Sequence, residues 1–278
     1  MRPLRIPRKI SIAARQGEQE VPIRPVEIAL QLLELLSQHQ PVGVSDLARL
    51  ADLPKSTAQR ALRVLEKSGW AEMTDPRRSV WSLTVRAVVA SSRPTYEQAR
   101  LRNLAVPVME ELRRATEETV HLSYRFRRST FLLERLDGLK PARYFFPYGA
   151  RSALHATASG KAILSAMTDA ALDSYFDRPL AALTPTTVTD PELIRRDLAE
   201  TRARGYSVTL GGNVADLHAI GAPIIGPQGH PIAALSVSMP RDRALPETVA
   251  RFGPLVADAA RRLGLGLGGL GAADQGDL

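Results

Sequence analysis

The chain has 278 residues, 44% of them hydrophobic and 24% charged, which is the composition of a folded protein long enough for two domains. It contains no cysteine, which excludes disulfides and thiolate metal sites. Its five histidines are too scattered for a metal-binding motif, so we expect no metal and no other cofactor. No apolar run approaches the roughly 20 residues that span a bilayer, and no signal-peptide pattern opens the chain. We therefore expect a cytoplasmic protein with no membrane partner.

The net charge of +8 points to a polyanionic partner, because phosphate neutralisation is the main source of nonspecific affinity for nucleic acids. Six basic and two acidic residues among the first 24 give that segment a net charge of +4. Residues 1–21 are predicted to form a basic leader. It is either a disordered, solvated segment or an arm that contacts DNA.

A helical pattern begins at Pro25 and opens a first domain, which we place at residues 22–84. One helix face is outlined by apolar residues at three- and four-residue spacing, namely Val26, Ala29, Leu30, Leu33 and Leu36. A second apolar stripe consists of Ile28, Leu32 and Leu35. Because one small domain needs only one such stripe, we expect part of this helix to pack against another subunit.

Two shorter helices follow and complete a helix-turn-helix pattern. Ser45 is the expected N-cap of the earlier one; Pro54 opens the later one, and Gly69 ends it. The later helix is apolar on one face and basic on the other. The candidate DNA-binding residues on its basic face are Lys55, Ser56, Thr57, Gln59, Arg60 and Arg63. Such side chains read base edges in the major groove, although an ordinary solvated helix face also carries Lys and Arg.

Residues 70–84 have the pattern strand, Asp-Pro turn, strand, which predicts a β-hairpin with Arg77 and Arg78 at its tip. In a winged helix-turn-helix this tip lies along the DNA backbone, where arginines position the domain without reading sequence. Hairpin tips with two arginines also occur in other proteins. Beyond the hairpin the apolar periodicity is lost, so we predict a linker at residues 85–100.

A second domain is predicted at residues 101–265, where helices and strands are mixed. Strand patterns occur at 119–126, 130–137, 142–149, 206–210, 220–225 and 232–239. Helical patterns begin at Leu101 and recur at 157–167, 169–177, 190–204 and 246–264. Helices outside a mostly antiparallel sheet make an α+β domain. Five glycines within 264–271 predict a flexible, Gly-rich tail at 266–278.

Five segments of the chain resemble the IclR family of bacterial transcription regulators, in the family's order and spacing. They are LPKSTAQRALRVLEKSG, ETVHLSY, GARSALHATASGKAILSA, LAETRARGYSV and IGAPIIGPQGHPIAALSVSMP. The resemblance covers roughly residues 22–265. It implies a mainly α, winged helix-turn-helix domain that binds double-stranded operator DNA. It also implies an α+β, GAF-like domain that senses a small molecule, and no enzymatic activity.

The resemblance further implies an effector pocket between the sheet and the start of the helix that HATASGK opens. Its expected contacts are Ala158, Ser159, Gly160, Leu217, Ala219, Ser236 and Ser238. A helix N-terminus offers backbone N–H groups to a carboxylate, and Ser236 and Ser238 share one side of a strand. Plain strand packing is the alternative for the serines. Gly212 and Asp216 stand where many members have Glu and Gly, so the pocket chemistry is expected to differ from theirs.

Three further side chains are expected to be structural. Lys161 does not belong to a phosphate-binding loop, because His155 and Ala162 occupy positions where that motif needs Gly and Ser or Thr. His155 and His218 are more often hydrogen-bonded structural residues than ligands.

The aromatic residues Phe145, Phe146 and Tyr148 lie just upstream of the expected pocket and are either its walls or part of the core.

Ligand-controlled DNA binding is the function that these features favour. The expected effector is a small organic or aromatic acid that relieves repression, and the expected assembly is a homodimer or a homotetramer. The alternative is a hydrolase-like or other small-molecule enzyme that carries a DNA-binding domain. Against it, the sequence has no GxSxG, no HExxH and no GxGxxG after a strand. A nonspecific architectural protein would fit the basic charge but would leave the second domain without a purpose.

Overall fold

The computed structural model describes residues 23–91, 96–140 and 146–269, which fall into two compact units that divide between Thr95 and Tyr96. The predicted leader at 1–21 lies outside the described residues, as do residues 270–278 of the predicted tail. The tail prediction is wrong for residues 266–269, because the last helix continues through them to Gly269.

The first unit combines helices with a small antiparallel sheet. Its helices are α1 (Arg24–His39), α2 (Val44–Ala51), α3 (Lys55–Lys67) and α4 (Val85–Ser91). Its strands are β1 (Val42–Gly43), β2 (Ala71–Asp75) and β3 (Val80–Leu83), in the order β1-β3-β2. The hairpin of β2 and β3 is the predicted wing, so the winged helix-turn-helix fold is confirmed.

The predicted cap of α2 is wrong, because Gly43 and not Ser45 is its N-cap. Gly43 pairs with Val80 in the sheet, and the N–H of Val44 donates to the carbonyl oxygen of Ser79. These sheet contacts fix the chain immediately before the helix. The helix therefore begins two residues before the position that the sequence favours.

Helix α1 divides its apolar residues differently from the predicted stripes. Leu32 and Leu36, one from each stripe, are fully buried against the core around Trp81. Val26 and Leu30 remain 51% and 56% exposed. The apolar surface left for another subunit is therefore Val26 and Leu30 rather than the stripe that contains Leu32.

The segment predicted as a linker is largely helical. Helix α4 fills its first seven residues, and α5 (Tyr96–Thr116) begins within it. The side chain of Thr84 leads into α4 by accepting from the N–H of Arg86 and donating to the carbonyl oxygen of Gly69. Val85 and Val89 of this short helix are exposed. Apolar periodicity therefore gave no sign of the helix.

The second unit is an α+β fold around one antiparallel sheet, as predicted. Its helices are α5, α6 (Ala158–Ser165), α7 (Asp169–Phe176), α8 (Pro191–Arg204) and α9 (Pro246–Gly269). Its strands are β4 (Thr119–Phe126), β5 (Ser129–Leu136), β6 (Arg151–Ala153), β7 (Ser207–Leu210), β8 (Leu217–Ile225) and β9 (Pro231–Pro240). The strand order is β6-β5-β4-β9-β8-β7. The GAF likeness stays a prediction.

The two faces of this sheet have different environments, because alternate side chains of a strand point to opposite sides. Val120 and Leu122 of β4 and Val237 of β9 pack with α5 and α9 in the larger core. Their neighbours His121 and Ser236 belong to the other face, where α6 crosses β8 and β9. The candidate site lies on this second face.

The strand predicted at 142–149 is wrong in its described part. Residues 146–149 form a turn in which the N–H of Ala150 donates to the carbonyl oxygen of Pro147. The edge strand β6 comes later and pairs with β5. Pro147 lacks the N–H that a strand ladder needs, and the backbone hydrogen bonds to β5 begin at Gly149, whose N–H donates to the carbonyl oxygen of Leu132. Residues 142–145 lie outside the described residues.

Candidate DNA-binding surface and effector cavity

Helix α3 presents a polar face on the side opposite its buried residues. Ala58, Leu62 and Leu65 pack into the core of the first unit. Lys55, Ser56, Arg60 and Arg63 are exposed, and Thr57 and Gln59 are half-buried. All six predicted DNA-binding residues of this helix are therefore at least partly open to a partner.

The cations of this face are not neutralised by any of the described residues. In the described part of the chain no carboxylate pairs with Lys55, Arg60 or Arg63. The helix also begins without a side-chain cap, and its first bonded N–H groups, of Thr57 and Ala58, both reach the carbonyl oxygen of Pro54. The N–H groups before them lack an intrahelical partner. Unpaired cations beside a helix N-terminus attract phosphate.

The wing supplies a second basic surface. The backbone N–H groups of Arg77 and Arg78 donate to Oδ1 of Asp75, at 2.9 and 3.3 Å, which closes the turn. Both arginine side chains are exposed at the tip. The hairpin is anchored by Trp81, which pairs with Met73 and is 1% exposed. The hairpin therefore carries two exposed guanidinium groups that no described carboxylate neutralises.

A cavity opens in the second unit between the sheet and the first turn of α6. The space that the centres of water molecules can reach measures about 80 Å³. One water needs roughly 10–15 Å³ of such space, so the cavity is several times larger than a single water requires. It therefore suits a small organic molecule. The lining residues are His121, Ser123, Thr130, Leu132, Phe146, Ala150, Ser152, Ala156, Thr157, Ala158, Ser159, Thr209, Asn213, Val214, Leu217, Ala219, Ser236 and Ser238.

Six of the seven predicted effector contacts line this cavity, and Gly160 does not. Its N–H donates to Oγ1 of Thr157, the N-cap of α6, at 3.0 Å. A side chain at this position would lie 2.2 Å from the carbonyl oxygen of Leu154. Gly160 is therefore needed for close backbone packing, and the prediction that its N–H receives a carboxylate is wrong. The N–H groups of Ala158 and Ser159 remain for that purpose.

The serines are connected across elements. Oγ of Ser159 donates to Oγ of Ser236 at 2.9 Å and so ties α6 to β9. Oγ of Ser238 lies 3.4 Å from Nδ1 of His121. Because hydroxyls donate and accept, a bound carboxylate can receive hydrogen bonds from the same groups.

The described residues that line the cavity carry no fixed charge. They include no Lys, Arg, Asp or Glu, and His121 is the one titratable side chain among them. Burial, helped by the positive charge of Arg135 and opposed by Asp137, lowers the pKa of His121 to about 4. The imidazole is therefore neutral at pH 7. An anion in this cavity depends on hydrogen bonds and on the α6 dipole.

His121, Phe146, Thr209 and Asn213 are cavity residues that the sequence did not mark as effector contacts. For His121 the available signal was its place between Val120 and Leu122, two residues that face the core. For Phe146 the signal was the aromatic run just upstream of the expected pocket. The neighbouring Phe145 of that run lies outside the described residues. Asp216 does not line the cavity, whereas Asn213 and Val214 do.

Lys161 and His155 have structural partners, as expected. Nζ of Lys161 lies 2.6 Å from Oδ2 of Asp197 and donates to the carbonyl oxygen of Val208 at 3.3 Å. Nδ1 of His155 is 2.9 Å from the hydroxyl oxygen of Tyr175, and its Nε2 is 3.0 Å from the carbonyl oxygen of Ala181. Both side chains hold loops and helices of the second unit together.

Two family models match the chain. Residues 25–75 match the IclR helix-turn-helix domain, and residues 95–265 match the C-terminal domain of the bacterial transcriptional regulator IclR. The chain belongs to the IclR family. It is 30% identical over 246 residues to the HTH-type transcriptional regulator BhcR of Paracoccus denitrificans, which is 88% of either chain. It is 30% identical over 260 residues to the HTH-type transcriptional repressor AllR of Klebsiella pneumoniae, 91% of this chain and 95% of that one.

A solved structure extends the likeness to the fold. The IclR homologue of Microbacterium hydrocarbonoxydans, solved in complex with 4-hydroxybenzoate, is 27% identical with a TM-score of 0.72. The match covers 87% of this chain and 98% of that one. Together these relatives identify a DNA-binding transcription regulator, and none of them supports the enzyme alternative.

Among the described residues, no helix is long and apolar enough to cross a membrane. The same residues contain no group of three or more His, Asp or Glu side chains that could hold a metal ion.

Proposed function

We propose that this IclR-family regulator is a repressor whose affinity for its operator is lowered by a small monocarboxylic acid. The observation that carries the proposal is a cavity that meets the N-terminus of α6 and whose described lining is uncharged, in a chain whose α3 helix exposes cations that no described carboxylate pairs with. The named repressors among its relatives support the sign of regulation.

The DNA-binding half of the proposal assigns base reading to α3 and backbone contact to the wing. Gln59 and Arg60 have the donor and acceptor geometry that reads base edges. Arg77 and Arg78, at a hairpin tip, are suited to phosphate contact. Because one helix-turn-helix reads only a short half-site, we propose a homodimer or homotetramer on a near-palindromic operator in the cytoplasm. Val26 and Leu30 offer an apolar surface for that association.

The effector half rests on the donors at one end of the cavity. The first N–H groups of α6 and the hydroxyls of Ser236 and Ser238 can surround one carboxylate. Leu132, Leu217 and Phe146 provide apolar walls for the rest of the molecule. The relative in complex with 4-hydroxybenzoate supports an aromatic acid as the class to test first. We assign no catalytic step to either unit.

Control of DNA binding requires that the effector prefer one of two states of the protein. A ligand that binds the DNA-free state more tightly lowers operator affinity by that same ratio. A thermal-shift screen of small carboxylates on the full chain should find ligands that raise the melting temperature of the second unit. The same ligands should weaken binding to the promoter region beside the protein's own gene, measured by fluorescence anisotropy. Stabilising ligands that leave DNA affinity unchanged would contradict the proposed coupling.

A further inference from the structure

His121 holds an unusual position in the cavity. It lies on β4, is 8% exposed, and lines the cavity. Its Nε2 is buried and has no hydrogen-bond partner among the described residues. Its Nδ1 lies 3.4 Å from Oγ of Ser238, which is long for a hydrogen bond. A buried polar atom without a partner destabilises the free protein, so a ligand that supplies the partner binds more tightly.

The charge of this imidazole is set by its surroundings. The elements packed against it bring Arg135, its register partner on β5, and Asp137 just beyond that strand. Arg135 donates to the carbonyl oxygen of Phe146 and pairs with Asp137 at 2.8 Å. Phe146 meets the imidazole edge-on, with ring centroids 6.0 Å apart. His121 is therefore a neutral ring held between an aromatic wall and a serine.

A neutral imidazole has one N–H donor and one acceptor nitrogen, and the structure leaves open which of them is Nε2. A hydroxyl can donate and accept, so it satisfies Nε2 in either form. A carboxylate only accepts, and a second carboxylate would be buried in a cavity whose described lining residues include no Lys or Arg. The group that fits His121 is therefore an uncharged hydroxyl.

We propose that His121 is a specificity-determining residue that hydrogen-bonds an uncharged hydroxyl group on the effector, apart from the single carboxylate held at the start of α6. This inference rests on the proposed function and narrows it to hydroxylated monocarboxylic acids. We expect dicarboxylates and phosphorylated acids to bind more weakly, because none of the described lining residues is a Lys or Arg that would meet their second negative charge.

The test is calorimetry of the full chain with benzoate and its three monohydroxy isomers, which differ only in the presence and place of one hydroxyl. We expect the wild type to bind at least one isomer about tenfold more tightly than benzoate, the range of one buried hydrogen bond. His121→Leu removes both ring nitrogens at similar volume. It should bind that isomer and benzoate with affinities within about threefold of each other.

Two further variants make the result specific. His218→Leu is the matched control, because His218 lies on β8 but does not line the cavity, and it should keep the tenfold preference. His121→Gln keeps a donor and an acceptor and should retain part of the preference, which also covers a failure of His121→Leu to fold.

Each remaining outcome decides against the inference. An unchanged preference in His121→Leu would show that the hydroxyl is read elsewhere. Equal affinity of the wild type for all four acids would overturn the inference and leave the proposed function standing. If none of the four acids binds, the aromatic acid class of the proposed function is wrong, and the inference that His121 binds an effector hydroxyl is wrong with it.

Discussion

Acid should destabilise the second unit through His121, and the size of the effect follows from its burial. The folded protein holds the pKa of His121 at about 4, against an ordinary value of 6.5. Between these pH values the unfolded chain takes up a proton that the folded chain does not, so the free energy of unfolding falls as the pH is lowered. For one group with these pKa values the loss between pH 7 and pH 5 is about 2 kcal/mol.

Urea unfolding at pH 7 and pH 5, followed by far-UV circular dichroism, measures this loss. Burial also lowers the pKa of His155 and of His218, so the wild type loses more than His121 alone contributes. The His121→Leu variant isolates the contribution and should lose about 2 kcal/mol less than the wild type.

An internal control comes from the tryptophans. Trp70 and Trp81 are the two tryptophans of the chain, and both belong to the first unit. Tryptophan fluorescence should therefore report the same pH dependence in the variant and the wild type. If circular dichroism also shows equal losses in the two proteins, His121 is not held neutral by the fold, and the reasoning is refuted.

The remaining predictions concern DNA, effector and assembly. Arg60→Ala should weaken operator binding by about 1–3 kcal/mol, the value of one base contact, in anisotropy titrations; Arg196→Ala on α8 is the charge-matched control. Replacing Arg77 and Arg78 together by Ala should weaken binding to all sequences alike and reduce the salt slope by about 2. Ala158→Trp should abolish effector binding in calorimetry by filling the cavity, with DNA binding retained. Light scattering at micromolar concentration should show at least a dimer.

Each of these has a clear contrary result. Full operator affinity in Arg60→Ala would remove α3 as the reading helix, and an unchanged salt slope in the wing variant would remove phosphate contact there. Unchanged effector affinity in Ala158→Trp would place the ligand outside this cavity. A monomer with and without DNA would remove the proposed assembly.

The parts that sequence predicted well are those in which one element alone determines the pattern. The amphipathic spacing of α3 required only Ala58, Leu62 and Leu65 on one face. The alternation along β9 placed Ser236 and Ser238 on the side opposite Val237 without knowledge of any neighbour. The serines were therefore assigned to one face correctly, and the cavity was found on that face.

The parts that failed depend on contacts between distant segments. Gly160 looked like an anion-binding donor, but its N–H is taken by Thr157 and its missing side chain makes room for Leu154. Ser45 was predicted to cap α2, but Gly43 is the N-cap because it pairs with Val80 in the sheet. His121 was passed over because its importance comes from burial beneath Phe146 and from its missing partner. Neither property has a local signature in sequence.

The most direct measurement of effector-controlled repression is an anisotropy titration of the full chain against DNA from the promoter region beside its own gene, with a scrambled duplex of equal length as control. The titration is repeated with each acid that stabilises the protein in the thermal screen. We predict that the promoter DNA is bound at least about a thousandfold more tightly than the scrambled duplex, and that at least one stabilising acid lowers this affinity about fivefold or more. Equal binding of the two duplexes, or promoter binding that no stabilising acid changes, would contradict effector-controlled repression.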